Sequence, residues 1–274
     1  MSLCKLARVS RSGYYEWLTR SESKRAKENR CLLVAIKSSY NENRQAYGAI
    51  RIKRDLTKQG HTCSKNRVAR LMSKNGLKSV HRAKYKPQTT KSDHKYNVSP
   101  NIIAQDFEAT CSNQKWGCDI SYIKTNEGWL YLAIVMDFYS RQIVGFEMSN
   151  RMHAELCCTA LNKACLRRSP PAELIHHSDR GVQYASLPYR KMLQSHEFIQ
   201  SMSRKGNCYD NSMVESFFHT LKVELVYRKK YETRLEAKQD ITDYIYNFYN
   251  SKRMHSSLDY MSPMEFENVN QLAA

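Results

Sequence analysis

Three closely spaced strand patterns between residues 115 and 149 constrain the fold of this chain most. In the first, KWGCDISYIKT, residues alternate between two faces, as in a strand with a different environment on each side. The second, GWLYLAIVMDF, is almost continuously apolar, which is typical of a strand covered on both faces. The third is RQIVGFEMS. Because the gaps between the three patterns are short, they predict an antiparallel meander.

The segments after the meander predict an α/β domain. The patterns that follow in order are a helix over 153–168, a strand in AELIHHSD, a helix near 186–196, a strand over 199–203 and a long helix from about 212. The order βββαβαβα predicts a mixed five-stranded sheet with flanking helices. We place this domain at 111–230 and a C-terminal helix and tail at 231–274.

The charge of the chain is divided unevenly. The 274 residues include 44 Lys and Arg against 26 Asp and Glu, a formal charge of +18. Residues 1–100 contain 24 of the basic and 6 of the acidic residues, so the remaining 174 residues are neutral overall. A basic block joined to a neutral one is typical of a nucleic-acid-binding module attached to a second domain, and a solubilising surface is the alternative.

The basic block contains three predicted helices, at 28–41, 47–59 and 65–74. The third has Ser64 as a candidate N-cap and ends at Asn75-Gly76. Its apolar side chains recur at helical spacing, and the residues left for the outside include Lys65, Asn66 and Arg70. This pattern predicts a helix-turn-helix-like DNA-binding domain at 28–80, whose last helix would enter a major groove. A small bundle with a solvated basic face is the alternative.

The remaining segments have little periodicity. Residues 1–27 resemble the remnant of something that begins upstream, and residues 81–110 read as a basic linker that could follow a phosphate backbone. The nine Cys form no C-x-x-C pair, and the longest apolar run, Trp129 to Met136, is far too short to cross a bilayer. We therefore expect a cytosolic protein with free thiols and no membrane contact.

Three carboxylates are candidates for a metal site. Asp119 lies in the first strand, on the opposite face from Trp116 and Cys118; Asp179 ends the fourth strand; and Glu215 lies on the last long helix. If they converge, their oxygens would attract two Mg²⁺ about 3.5–4 Å apart, the arrangement used for phosphoryl transfer.

Each of these carboxylates also has a structural interpretation. Asp119 could pair with an Arg, Asp179 could be a turn residue before Gly181, and Ser212-x-x-Glu215 fits a capping box. The helix itself has a narrow polar stripe of Glu215, His219 and Lys222 beside an apolar one. A carboxylate and a lysine two turns apart suit a metal ligand and a phosphate contact.

Several blocks resemble one known family in order along the chain. KWGCDISYIKT is similar to its W-x-x-D-I-T-Y-I block, and HSDRGVQY, GNCYDNSMVESFFHTLK and YNFYNSKRMHSSLDYMSPMEF are similar to later blocks. Asp119, Asp179 and Glu215, with 35 residues between the last two, resemble a DDE triad. The family is the DDE transposases of two-frame bacterial insertion sequences (the second-frame protein, OrfB), which share the retroviral-integrase catalytic core.

The resemblance implies an RNase H-like fold and metal-dependent cleavage and strand transfer of transposon-end DNA. It implies Asp119, Asp179 and Glu215 as ligands of two Mg²⁺, with Mn²⁺ as a substitute, and Lys222 as a DNA contact. The implied partners are double-stranded DNA at transposon ends and target, an upstream-frame helix-turn-helix protein joined by frameshifting, and further copies of the chain on DNA. The implied location is the bacterial cytoplasm, at the nucleoid.

Two other functions remain open at this stage. The chain could be a non-catalytic DNA-binding subunit or regulator that needs fusion to the upstream-frame product, or an RNase H-like nuclease acting on RNA–DNA hybrids. Asp137 begins DFYSRQIVGF, which is also similar to a block of this family, and Asp210 lies in GNCYDNSMVESFFHTLK; we interpret both as structural.

Overall fold

A computed structural model describes Cys4, residues 7–80 and residues 98–271 of the chain. The chain divides into two compact units, Met1–Ser79 and Val80–Ala274. The first part of the predicted linker, up to residue 97, lies outside the described residues. No helix in the described part of the chain is both long and apolar enough to cross a bilayer.

The first unit is helical. Its described helices are α1 (Arg11–Thr19), α2 (Lys24–Glu42), α3 (Ala49–Lys58) and α4 (Lys65–Lys74). Helix α2 begins four residues before the predicted start because Ser23 caps it, accepting a hydrogen bond from the Ala26 backbone. All nine residues of α1 are exposed, in the stretch 1–27 that was predicted to be the remnant of something that begins upstream.

Helices α2, α3 and α4 enclose a small apolar core. Its most buried side chains are Ile36, Tyr47, Ile52, Leu56 and Val68. Arg67 of α4 ties the bundle together, because it donates to Asn29 at 2.7 Å and to Glu28 at 3.2 Å, both on α2. The three predicted helices therefore pack together around one apolar core, in the predicted helix-turn-helix-like arrangement.

The second unit is built on a five-stranded sheet. Its strands are β1 (Lys115–Thr125), β2 (Gly128–Asp137), β3 (Ile143–Ser149), β4 (Ile175–Ser178) and β5 (Ile199–Met202). The order across the sheet is β3-β2-β1-β4-β5, with β1, β2 and β3 antiparallel and β4 and β5 parallel to β1. The predicted mixed sheet and meander are confirmed. Strand β4 is shorter than predicted, because Glu173 adopts a positive φ in the turn before it.

Helices cover both faces of the sheet. They are α5 (Ala154–Arg168), α6 (Val182–Ala185), α7 (Leu187–Ser195), α8 (Ser212–Glu224), α9 (Arg234–Asp243) and α10 (Pro263–Gln271). One face packs on α5, α6 and α7 through a core that includes Trp116, Cys118, Leu161 and Tyr189. On the other face Gly117 lets Phe138 and Val214 of α8 approach β1 closely, since a Cβ there would collide with both.

Two segments that were predicted to lie outside the sheet domain pack against it. In the second part of the predicted linker, Ile103 is buried and the backbone of Ile102 donates to Ser201 on β5. The C-terminal segment contains a π-helix, Tyr244–Asn250, and Asn250 makes two hydrogen bonds with the backbone of Ile143 on β3. Both segments are therefore part of the second unit.

Candidate active site

Asp119 and Asp179 lie at corresponding positions on neighbouring parallel strands. The last pair between β1 and β4 is Cys118 with Ser178, and each aspartate follows directly after it. Neighbouring strands are about 4.8 Å apart, so the two backbones are adjacent at this point. Both aspartates are half-buried. The structure thus brings these two candidate ligands together where β4 ends.

Hydrogen bonds to the backbone orient both aspartates. Oδ1 of Asp119 accepts from the Ile120 amide at 2.7 Å, and Oδ1 of Asp179 accepts from the Gly181 amide at 2.8 Å. A Cβ at Gly181 would lie 2.9 Å from that Asp179 oxygen, so a glycine permits the close turn. Asp179 therefore does act as a turn residue before Gly181. The turn uses only one carboxylate oxygen, and a carboxylate can accept further hydrogen bonds or bind a cation.

Glu215 lies in the first turn of α8. The helix N-cap is Asn211, whose side chain makes no capping bond, and Ser212 is already inside the helix. The capping box that was the alternative for Glu215 is therefore absent from this helix start. Asn211 instead donates through Nδ2 to the Cys118 carbonyl at 3.2 Å, which fastens the start of α8 to β1 next to Asp119. Glu215 is the most exposed of the three carboxylates.

The three carboxylates influence one another electrostatically. Burial raises the pKa of Asp119 well above its usual range, and the charges of Asp179 and Glu215 raise it further. Burial and the charge of Asp179 also raise the pKa of Glu215. Such mutual repulsion at one point is typical of sites where carboxylates share a cation or a proton.

The donor set fits a hard divalent cation. Carboxylate oxygens are the ligands that Mg²⁺ and Mn²⁺ prefer, and a bound cation would relieve the repulsion that raises these pKa values. As their side chains stand, no three His, Cys, Asp or Glu of the described residues are arranged to hold a metal ion. Glu215 extends into solvent, whereas backbone hydrogen bonds hold Asp119 within β1 and Asp179 just after the end of β4.

Lys222 lies between Asp119 and an aromatic ring. It is seven residues after Glu215 on α8, and burial lowers its pKa while the charge of Asp119 acts in the opposite direction. Its Nζ is 4.9 Å from the centroid of the Tyr122 ring. The polar stripe of α8 therefore presents an ammonium group close to Asp119, as a phosphate contact requires.

Two other acidic residues have structural roles in this unit. Asp137 is fully buried, accepts from the backbones of Asn113 and Tyr139, and pairs with Arg168 at 3.2 Å. Asp210 is held by Arg204 at 2.9 Å, and this hydrogen-bonded pair keeps the pKa of Asp210 below its usual range. Their interpretation as structural residues agrees with these contacts.

The predicted DNA-contacting residues of the first unit are exposed. Lys65, Asn66 and Arg70 of α4 are exposed, while Val68 and Met72 of the same helix are buried. The structure thus presents these side chains to solvent on the helix that was predicted to enter a major groove.

Sequence reasoning missed the exposure of Tyr122 and Trp129. The alternation in KWGCDISYIKT puts Tyr122 on the same face of the strand as Trp116 and Cys118, which are buried, but β4 ends at Ser178 and Tyr122 is 36% exposed. The available signal was the length of the first two patterns, which extend well past the short fourth strand.

Two buried histidines precede Asp179 on β4. His177 bonds to Ser201 and Ser203, and His176 lies 2.8 Å from the Cys118 Sγ and 2.9 Å from the Tyr189 hydroxyl. Burial lowers the pKa of His176 to about 3 and that of His177 to about 4. Both rings are therefore neutral in the folded protein at physiological pH.

Acid should destabilise the fold through these histidines. An unfolded histidine binds a proton near pH 6.5, whereas the folded ones do so only near pH 4 and below, so their contribution to stability is complete above pH 6.5 and falls as the pH drops towards 4. Each histidine should contribute at most about 1.4 kcal/mol per pH unit to the slope of the unfolding free energy against pH.

We expect His177→Gln to reduce that slope by about one histidine's share, because Gln can still bond to the two serines. Urea unfolding between pH 4 and 7 measures it. His61→Gln, at an exposed position, is the control and should leave the slope unchanged. An unchanged slope in His177→Gln would contradict the assignment.

Comparison with known proteins agrees with this architecture. Family models described as "Integrase core domain" match residues 109–208 and 215–270, and one described as "HTH-like domain" matches residues 27–85. A chain of the simian T-cell lymphotropic virus intasome, solved by cryo-EM in complex with PP2A regulatory subunit B56 gamma, has a TM-score of 0.51 at 16% identity, over 78% of this chain and 70% of that one. The sheet and these matches define an integrase-core protein with an HTH-like region.

Two bacterial relatives are similar over nearly the whole chain. Transposase InsF for insertion sequence IS3A of Escherichia coli (strain K12) is 41% identical over 98% of this chain and 94% of its own length. The insertion element IS600 31 kDa protein of Shigella sonnei is 42% identical over 99% of this chain and 100% of its own length. The chain belongs to the InsF transposases of the IS3 family of insertion sequences. The family and RNase H-like fold predicted from the sequence are confirmed.

Proposed function

We propose that the chain cleaves transposon-end DNA and transfers the new end to target DNA, with Asp119, Asp179 and Glu215 as ligands of two Mg²⁺, replaceable by Mn²⁺. The observation that carries this assignment is the adjacent placement of two of the carboxylates, and the pKa directions support it. Asp119 and Asp179 follow the last pair of two parallel strands, and the charges of Asp179 and Glu215 both raise the pKa of Asp119.

The reaction needs two displacements at phosphorus. Water first replaces one bridging oxygen of a phosphodiester, which leaves a 3′-OH and a 5′-phosphate. That 3′-OH then displaces a bridging oxygen of the target strand, so one phosphodiester forms as another breaks. When bound, divalent cations would supply charge neutralisation at the attacking and leaving oxygens. The chain itself would contribute position and electrostatics, with no covalent intermediate.

The residues of the site have separate tasks in this proposal. The backbone amides of Ile120 and Gly181 hold the two aspartates in fixed orientations. Glu215, exposed on α8, would turn inward to complete the ligand set. Lys222, beside Asp119, would contact a non-bridging phosphate oxygen and so set the register of the strand.

DNA would be held by the HTH-like region as well. In our proposal Lys65, Asn66 and Arg70 of α4 contact double-stranded DNA of the transposon ends or target. The chain would act at the bacterial nucleoid, as an oligomer on DNA, and as a frameshift fusion with the upstream-frame helix-turn-helix protein.

One observation favours a second candidate function. Among the described residues, no three His, Cys, Asp or Glu side chains are arranged to hold a metal ion as they stand. In this second proposal the isolated chain is a DNA-binding subunit that becomes catalytic only after fusion to the upstream-frame product. The two candidates differ in whether the isolated chain has any activity.

The test is a strand-cleavage and joining assay on transposon-end duplexes in Mg²⁺, with the isolated chain and the fused form side by side. Activity in both supports the first candidate, and activity in the fused form alone supports the second. If neither form cuts end DNA while an RNA–DNA hybrid is cleaved, the chain is a nuclease and the proposal is wrong.

The role of α4 gives a prediction about salt. Replacing Lys65 and Arg70 together by Ala should lower the slope of log K against log salt for duplex DNA by roughly 2, since each contacting cation releases about one counterion. Fluorescence anisotropy at several salt concentrations measures the slope. Lys24→Ala with Lys58→Ala, at exposed positions on α2 and α3, is the matched control. An unchanged slope in the α4 variant would mean that these side chains form a solvated face of a helical bundle and do not contact DNA.

A further inference from the structure

Three exposed aromatic side chains come from the hairpin that carries Asp119 and from the turn after the helix that carries Glu215. Tyr122 of β1 is 36% exposed and Trp129 of β2 is 46% exposed. Their ring centroids are 5.1 Å apart at 86°, an edge-to-face pair. Tyr227, in the turn after α8, is 51% exposed. We call Tyr122, Trp129 and Tyr227 the aromatic platform.

The segment after α8 is attached to the same hairpin. Thr125 of β1 forms a bridge with Tyr231, and the Asn126 amide donates to the Tyr231 carbonyl at 2.9 Å. Burial raises the pKa of Tyr227, and the charge of an ionised Tyr122 raises it further, as expected of neighbouring side chains. The three rings therefore belong to one surface.

Strand pairing explains why this surface is open. Strand β1 pairs with β4 only as far as Cys118, yet it continues to Thr125 beside β2. Tyr122 is three residues beyond Asp119 along an extended strand, a distance of about 10 Å. That length corresponds to roughly three stacked nucleotides at 3.4 Å each.

Positive charge surrounds the aromatic platform. Lys222 lies over the Tyr122 ring at 4.9 Å and also interacts with Asp119, so it connects the platform to the carboxylates. Lys124 pairs with Trp129 across the hairpin and is exposed, as is Arg228 next to Tyr227. Exposed rings interleaved with cations are the arrangement that binds single-stranded nucleic acid, in which bases stack and phosphates meet the cations.

We propose that the aromatic platform stacks an unpaired base of the DNA strand, a few nucleotides from the phosphodiester that reacts. A base inside a duplex is stacked on both faces, so only an unpaired one offers a face to a protein ring. Lys222 would contact the backbone between that base and the carboxylates. The inference rests on the proposed function, because it takes the neighbouring carboxylates as the reacting centre.

A binding experiment without metal tests this independently of catalysis. The probes are a blunt duplex of arbitrary sequence and the same duplex with a four-nucleotide dT overhang at the 3′ end, since stacking tolerates any base. In EDTA, the full-length chain should prefer the overhang probe. Tyr122→Ala or Trp129→Ala should weaken binding of the overhang probe about tenfold, a typical loss for one base–aromatic stack, and leave the blunt duplex within about twofold.

Two variants serve as controls. Tyr122→Phe keeps the ring and should keep the preference for the overhang. Tyr246→Ala removes a tyrosine that is also 36% exposed and also has a cation over its ring, Arg167 at 4.7 Å, but lies beside Phe146 of β3. It should leave both affinities unchanged.

A second measurement needs no variant. Ultraviolet cross-linking of wild-type protein to an overhang that carries 5-iododeoxyuridine should label the peptides of Tyr122 or Trp129. An overhang preference that survives both alanine substitutions, or labelling confined to other peptides, overturns the inference. If the alanine variants lose the preference for the overhang but the wild-type protein does not cut transposon-end DNA, the inference about the platform stands and the proposed function is wrong.

Discussion

Asp119→Asn should abolish strand cleavage and joining, by at least about a thousandfold, while the protein remains folded. The expected size follows from the several kcal/mol that a metal-centred charge arrangement contributes to a phosphoryl-transfer transition state. The substitution replaces one carboxylate oxygen by an amide nitrogen and preserves the shape of the side chain. The measurement is a single-turnover assay on transposon-end DNA in Mg²⁺, using whichever form of the chain is active.

Thermal unfolding separates a catalytic Asp119 from a structural one. Burial and the charges of Asp179 and Glu215 raise the pKa of Asp119, so its ionised form destabilises the fold at neutral pH. The neutral Asn variant should therefore unfold at the same or a higher temperature than the wild type. A structural, ion-paired aspartate would behave in the opposite way, with a lower unfolding temperature.

Asp240→Asn is the matched control. Asp240 pairs with Lys229 at the surface of the second unit, and exposed pairs of this kind contribute little to stability. The control should keep both activity and stability. Retained cleavage by Asp119→Asn would remove the residue from the ligand set, whatever the control shows.

The sheet could be predicted from the sequence because its signals are local. The meander of β1, β2 and β3 is encoded by alternation and by a continuous apolar run, which depend on neighbouring residues alone. The polar stripe of Glu215, His219 and Lys222 is equally local, since helical periodicity places these side chains together. The proximity of Asp119 to Asp179 is not a local feature, and it could be predicted only from the order of the strands.

Other features depend on tertiary contacts and could not be predicted in this way. Whether Tyr122 is buried depends on where β4 ends, which no pattern within β1 encodes. The C-terminal helix and tail, 231–274, were predicted as a segment separate from the sheet domain. In the structure several of those polar groups are buried in pairs with distant partners, such as Arg253 with Glu224 and Glu267 with Arg168.

The Arg253–Glu224 pair joins the C-terminal tail to the helix that carries Glu215. Arg253 is buried and donates to Glu224 at 2.7 Å and 2.9 Å, and the Tyr244 hydroxyl donates to the same carboxylate at 2.8 Å. Glu224 is the last residue of α8. The tail therefore fixes the end of the helix whose first turn holds the third candidate ligand.

Arg253→Met should destabilise the second unit by about 3–5 kcal/mol, because it leaves the Glu224 charge buried with one neutral partner. Urea unfolding followed by a tryptophan signal measures this, and the double variant Arg253→Met with Glu224→Gln should recover a large part of the loss, since no unpaired charge then remains. Arg151→Met removes an exposed arginine from the loop after β3 and should cost much less. A loss below about 1 kcal/mol in Arg253→Met, or no recovery in the double variant, would mean that the tail is not held to α8 by this pair.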